Sequence, residues 1–323
     1  PGVAAPPGSV KVRLGTLNNI GDEPLWAAKD KGYFAEQGLD VQFIPFTNGS
    51  DELVALTTNQ IDFTAGTPSA AYYNANDRGV PVKLIANLSI TNAKSKSVGI
   101  SVRSDLIDSG RYKTPADLKG LKIGVGSTPG AGNISDMQWQ RLSAKGNLTM
   151  KDLNFTIVPF PQMPAALANK AVDAAYLIEP FLSVAVEQQK TAKVIAYNGD
   201  LNPGYPVYML FVSPGFADQQ RAVADKFMTA VVKGVRYMYD AFNNQQNTDE
   251  ALTILANNQP IKDKALLARE AGDVANPDLP IDLKPYQDFE DLYAQAGAVK
   301  QKVDINQLID PAFLQRAQQA AKQ

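Results

Sequence analysis

Residues 55–66 read ALTTNQIDFTAG, and residues 166–177 read ALANKAVDAAYL. Each holds Ala-Leu, five further residues, then an Asp followed by small or apolar residues, so the chain writes one phrase twice. Working outward, a shift of 111 lays Asp62 on Asp173 and KVRLGT (11–16) on KIGVGS (122–127). A shift of 114 lays LDVQFIPF (39–46) on LNFTIVPF (153–160), and one of 110 lays VKLIA (82–86) on AKVIA (192–196). The matched segments keep their order, and small insertions account for the changing offset. The reading is an internal duplication.

Each matched segment has a physical identity. KVRLGT and KIGVGS are short β-rich runs ending at small residues, as buried parallel strands do. PLWAAKDKGYF (24–34) has helical spacing with a Pro suited to a first turn. DELVALTTN (51–59) is a second helix leading through Gln60 to the short strand IDFTAG. The second half repeats the series with ISDMQWQRLSAKG (134–146), LNFTIVPF, MPAALANKA (163–171) and VDAAYL (172–177). The expectation is α/β: two βαβαβ-type lobes, each with a mainly parallel sheet and helices on both faces. Asp62 and Asp173 then end helix-to-strand turns, a structural role. Trp26 and Trp139 sit on apolar helix faces as core residues.

Two polar or Gly/Pro-rich passages, SITNAKSKS (89–97) and YNGDLNPGYPVY (197–208), each lead into a β run, VGISVRSD and MLFVSPGF. They predict a two-segment hinge. Lobe 1 is then 9–93 plus 208–323, with the C-terminal helices returned to it. Lobe 2 is 95–206, and 1–8 is an N-terminal tether.

Composition narrows the chemistry. The 323 residues are 45% hydrophobic and 20% charged, with net charge −2 and pI about 5.4. That is globular composition without the basic stripe of a nucleic-acid binder. The start, PGVAAPPGSV, lacks a basic n-region and an apolar h-region, and reads as a mature end from which a signal peptide has been removed. Cys and His are absent. Thiol nucleophiles, imidazole proton shuttles and most zinc sites are therefore unavailable, which favours binding over catalysis.

The run PLWAAKDKGYFAEQGLDVQFIPF (24–46), then GSDELVAL, IDF, RGVPVKLIA, TPADLKGLKIGV and IEPF, resembles the type II periplasmic solute-binding proteins of ABC transporters. Within them it is similar to the nitrate/sulfonate/taurine/thiamine-precursor (pyrimidine) branch. The resemblance spans roughly residues 10–320. It implies capture of a small polar organic solute in an interlobe cleft, closure like a flytrap, and delivery to an ABC permease at the membrane. It further implies an exported, periplasmic monomer with no cofactor, no metal, no catalytic residue and no nucleic-acid partner. Two other readings share the architecture: an enzyme related to thiamine-pyrimidine synthases, and a ligand-sensing module.

Ligands of open α/β sheets bind beyond the carboxyl ends of the strands. Those loops offer Asn18, Asn19 and Asp22 in LNNIGDEP, Ser50 in TNGS, and Thr67 and Ser69 in AGTPS. GSTPGAGN (126–133) is a small-residue loop opening a helix, whose free N–H groups suit an anionic or polar group. It offers Ser127, Thr128, Gly130 and Ala131. Glu179 stands at the acid-Pro position of LIEPF, which the resemblance places after a strand and facing the cleft as a ligand group; a surface or hinge-supporting carboxylate is the equal alternative. Tyr205 and Tyr208 flank the second crossover, where an aromatic could pack on a ligand or simply on the hinge. Lys94 and Lys96 read as solvated.

Overall fold

The computed structural model describes residues 3–18, 20–46, 49–80, 82–92, 96–126, 129, 134–259, 262–270 and 281–322; the side chains of 49, 50, 269 and 270 also fall outside the description. The chain forms two compact units. One comprises Pro1–Ile90, Pro206–Ala294 and Val299–Gln323, and the other Thr91–Tyr205 and Gln295–Ala298.

The first unit holds β1 (Val10–Thr16), β2 (Leu39–Pro45), β3 (Phe63–Gly66) and β4 (Lys83–Ile90). The second holds β5 (Val98–Arg103), β6 (Lys122–Val125), β7 (Asn154–Ile157), β8 (Ala174–Ile178) and β9 (Ala192–Tyr197); the chain then re-enters the first as β10 (Pro206–Val212). Strand order is β2-β1-β3-β10-β4 in one sheet and β7-β6-β8-β5-β9 in the other. Both sheets are mixed. β1 runs parallel to β2 and β3, while β10 is antiparallel to β3 and β4. β6 likewise runs parallel to β7 and β8, while β5 is antiparallel to β8 and β9. The reversed strand is in each case the one the chain enters after crossing from the other unit. The two crossing segments bond to each other: Thr91 N–H donates to Tyr205 O at 2.9 Å, and Gly204 N–H to Thr91 O at 2.8 Å.

Strand pairing refines the duplication. Leu14 faces Phe63 and Ile123 faces Ala174, each opposite the residue after the repeated Asp. Leu14 is thus equivalent to Ile123, a shift of 109 (123 − 14), although the Asp pair is related by 111 (173 − 62). The sequence match of KVRLGT to KIGVGS is therefore two residues out of register. A two-residue slip keeps every side chain on its own face of a strand, so the apolar pattern could not reveal it.

Helices close the faces of each sheet. In the first unit, Arg221–Asn243 packs on Glu23–Asp30 so closely that a Cβ at Gly234 would stand 2.2 Å from Pro24 O. Phe227 stacks on Phe63 with ring centroids 3.9 Å apart, and Trp26 is buried in the same core. In the second unit Trp139 is fully buried and meets Phe155 edge-on at 5.8 Å. Two separate apolar clusters there, one around Ile123 and Trp139 and one around Met163 and Leu177, mark a sheet covered on both faces.

Candidate functional site

The carboxyl ends of β1 and β3 are the best-defined site of the first unit. β1 ends at Thr16, whose hydroxyl donates to Asp22 Oδ2 and accepts from Asn18 N–H at 2.9 Å. Asn18 takes a left-handed φ of 50°, a conformation Asn tolerates better than most residues. Asp22 stands at the N-cap of helix Glu23–Asp30 and is 0% exposed. Helix dipoles stabilise carboxylates at such positions. The sequence reading placed Asp22 on an open loop; the structure buries it, because the short turn Ile20–Asp22 folds the side chain back to Thr16.

Facing the same strand ends is Glu52, from the first turn of helix Gly49–Thr57. It is 0% exposed, and among the described residues neither carboxyl oxygen has a partner in normal hydrogen-bond geometry. A Cβ at Gly15 would stand 3.1 Å from Glu52 Oε1, and one at Gly66 would stand 3.8 Å from Oε2. The carboxyl therefore spans the ends of the two central strands. Burial pushes it up to about 8; interaction with the Thr64 hydroxyl opposes the rise, and the charge of Asp22 adds to it. The result is an acid that stays protonated near neutrality beside a second buried acid.

Sequence reasoning missed Glu52, although the signal was present. Glu52 shares one helix face with Ala55 and Leu56, three and four residues on, and both are buried. An acid on the apolar stripe of an amphipathic helix is the exception that marks a special position.

The other expected residues divide. Thr67 is exposed and Ser69 precedes helix Ala70–Asp77, both just past β3. Ser50 lies in helix Gly49–Thr57, with its side chain outside the described residues. Asn19, Ser127, Thr128, Gly130 and Ala131 lie outside them altogether, as does Lys94; Lys96 is exposed. Tyr208 is a packing residue: it is 2% exposed, and its ring fills the space that a Cβ at Gly21 would occupy, 2.4 Å away.

In the second unit β6 ends at Val125, and Gly126 follows against the Phe160 ring, which a Cβ would meet at 2.4 Å. Glu179, joined to Pro180 by a cis peptide, accepts from Ser183 N–H at 3.0 Å and from the Ser183 hydroxyl at 2.7 Å. Its carboxylate thus braces the helical turn that follows β8. Tyr205 stacks under the Arg141 guanidinium at 4.1 Å, and Arg141 itself donates to Leu201 O and Asn202 Oδ1. Tyr205 is therefore engaged in holding the second crossing segment.

Comparison with known proteins gives this geometry a context. A putative binding protein of Brucella abortus (strain 2308) is 28% identical over 81% of this chain and 76% of its own length. A putative aliphatic sulfonates-binding protein of Bacillus subtilis is 23% identical over 95% and 88%. A formylaminopyrimidine-binding protein of Halalkalibacterium halodurans is 24% identical over 78% and 71%. The crystal structure of the periplasmic nitrate-binding protein NrtA from Synechocystis PCC 6803 superposes with a TM-score of 0.76 at 18% identity, covering 98% of this chain and 90% of that one. The desulfurization enzyme DSZB shares the fold at a TM-score of 0.67 and 16% identity, over 96% and 99% of the two chains. The model of the family described as NMT1/THI5 like matches residues 19–244, from the Asp22 turn through the long helix Arg221–Asn243. That match takes in every strand but β1 and most of the chain, so this protein belongs to the NMT1/THI5-like family.

Proposed function

We propose that the chain is the solute-capturing component of an ABC importer, exported to the periplasm, acting as a monomer and handing a small polar organic solute to a membrane permease. The observation that carries the reading is family membership together with two sheets of matched strand order. Relatives named for sulfonate and formylaminopyrimidine binding support it. Asn18, Thr67 and Ser69, past the carboxyl ends of β1 and β3, are the polar groups the first unit offers it.

DSZB shows that the fold also hosts an enzyme, which makes catalysis the second reading. The absence of Cys and His from this chain removes the usual nucleophile and shuttle. What remains is the buried pair Asp22 and Glu52, with the Glu52 carboxyl raised by burial. A thermal-shift panel of sulfonates, carboxylates, amines and pyrimidines tests capture, because a solute bound only by the folded state raises the melting temperature by mass action. Product analysis on each stabilising solute separates the readings: capture returns it unchanged, and conversion overturns capture.

A further inference from the structure

The duplicated sheets share an edge strand that the first unit covers and the second leaves open. Strand pairing sets the equivalence. Phe63 and Ala174 each follow the repeated Asp; Val212 faces both Phe63 and Lys83, and Val102 faces both Ala174 and Lys193. Lys83 therefore corresponds to Lys193 and Leu84 to Val194, which makes β4 and β9 the same edge of the two sheets. In the first unit the chain covers that edge itself. Ile309 forms a parallel bridge with Leu84, Asp310 N–H donates to Leu84 O at 2.9 Å, and the Lys83 ammonium donates to Gln307 O. Ile305, Leu308 and Ile309 are buried there.

Along β9, no described residue makes the equivalent bridge. A groove of about 480 Å³ lies there instead, lined by Ala192, Lys193 and Val194 of the strand and by Val186 of the helical segment Val184–Gln188. Consecutive strand residues point to opposite faces, so a groove touching three in a row runs along the edge. Lys193 cannot find the carbonyl that Lys83 finds, and pairs with Asp108 at 2.5 Å, both side chains half exposed. Lys190 and Lys193 outnumber the one acid of the lining, Glu187. The surrounding unit is basic as a whole: residues 91–205 hold 13 Lys and Arg against 9 Asp and Glu, a net charge of +4 (13 − 9).

We propose that the β9 edge docks a short extended segment of a partner protein, an apolar side chain seated beside Val194 and a carboxylate beside Lys190 and Lys193. The chain's own Ile309–Asp310 on β4 is the template for that occupant. In this mode of recognition main-chain hydrogen bonds supply affinity and side-chain pockets supply specificity. The Lys193 end of β9 lies level with Ala174, at the amino end of β8, so it is remote from the strand carboxyl ends and independent of the solute reading. The plainer role for edge lysines is to deter pairing altogether.

The test titrates the whole chain into a labelled, end-capped peptide of sequence VDINQLIDP, residues 303–311, and follows fluorescence anisotropy. Saturable binding with Kd below about 1 mM is expected, the weak range suited to one short segment. N-methylation at the second Asp removes the N–H that serves Leu84 O in the first unit, and affinity should fall at least about tenfold, roughly 1.4 kcal/mol. Val194→Asp puts a charge on the groove edge and should abolish binding, with circular dichroism establishing that the variant is folded. Lys190→Glu should weaken binding and flatten its salt dependence. Lack of saturable binding leaves the lysines as deterrents and overturns the inference. Equal binding of the N-methylated peptide overturns strand addition, and needs no variant to fold. Parental affinity in folded Val194→Asp places the peptide elsewhere and also overturns it. Sedimentation of the parent as a dimer that the peptide dissociates would make the occupant a second copy, which overturns the partner reading.

Discussion

Asp62 holds Arg13 through three hydrogen bonds: Oδ2 accepts the backbone N–H at 2.7 Å and Nε at 3.2 Å, and Oδ1 accepts Nη2 at 2.6 Å. Its duplicate, Asp173, accepts the backbone N–H of Lys122 at 3.0 Å and Nη1 of Arg103 at 2.8 Å. The repeated Asp thus stitches the start of each short central strand to its neighbour. The cation that neutralises it comes from β1 in one unit and from β5 in the other. Replacing Asp62 with Ala removes charge-assisted bonds to a strand, and half-exposed Arg13 can rehydrate. The expected cost is about 1–3 kcal/mol, read as a lower urea midpoint, with solute affinity unchanged. An unaltered midpoint would show that the carboxylate supports nothing.

Glu52 makes stability fall as pH rises. Its folded value of about 8 lies above the ordinary carboxylate value, so between the two the folded state holds a proton that the unfolded chain has released. The stability this contributes is present at pH 4 and is lost progressively towards pH 8. Glu52→Gln has no such proton. Its stability relative to the parent should therefore climb by a few kcal/mol from pH 5 to pH 8. Urea unfolding of the pair at several pH values checks this, and parallel pH profiles would show that Glu52 is ionised in the fold.

Gly21→Ala should destabilise the first unit. A Cβ there meets the Tyr208 ring at 2.4 Å, and that ring is fixed in the core. Overpacking of this kind costs about 1–3 kcal/mol. Truncating the ring in the double variant Gly21→Ala/Tyr208→Leu should recover part of the Gly21→Ala loss measured in a Tyr208→Leu background. Strict additivity would show that the two positions do not meet.

The duplication, the strand-then-helix series and the buried tryptophans were all legible because periodicity and spacing carry them. The register of β1 against β6 was not, since a slip of two leaves the inward pattern untouched. Nor was the burial of Asp22, whose side chain folds back to the Thr16 hydroxyl six residues away. Tyr208, at the end of a Gly/Pro-rich passage, read equally as a ligand aromatic or a packing residue, and its burial against Gly21 goes with the pairing of β10 with β4. Glu179 illustrates the same limit: its partner, Ser183, is four residues on, within the helical turn it braces.

Gly130→Val adds a branched side chain to the loop between β6 and helix Ile134–Ala144. If that loop offers backbone donors to the solute, affinity should fall at least about tenfold while the unliganded protein stays folded. Parental affinity would leave the loop as a turn and shift the contacts to Asn18, Thr67 and Ser69.

Equilibrium dialysis of the purified chain against the solute that most raises its melting temperature, followed by chemical recovery of that solute, tests capture most directly. The account predicts saturable binding of one solute per chain and return of the solute unchanged. Failure to saturate, or recovery of a converted product, would contradict it.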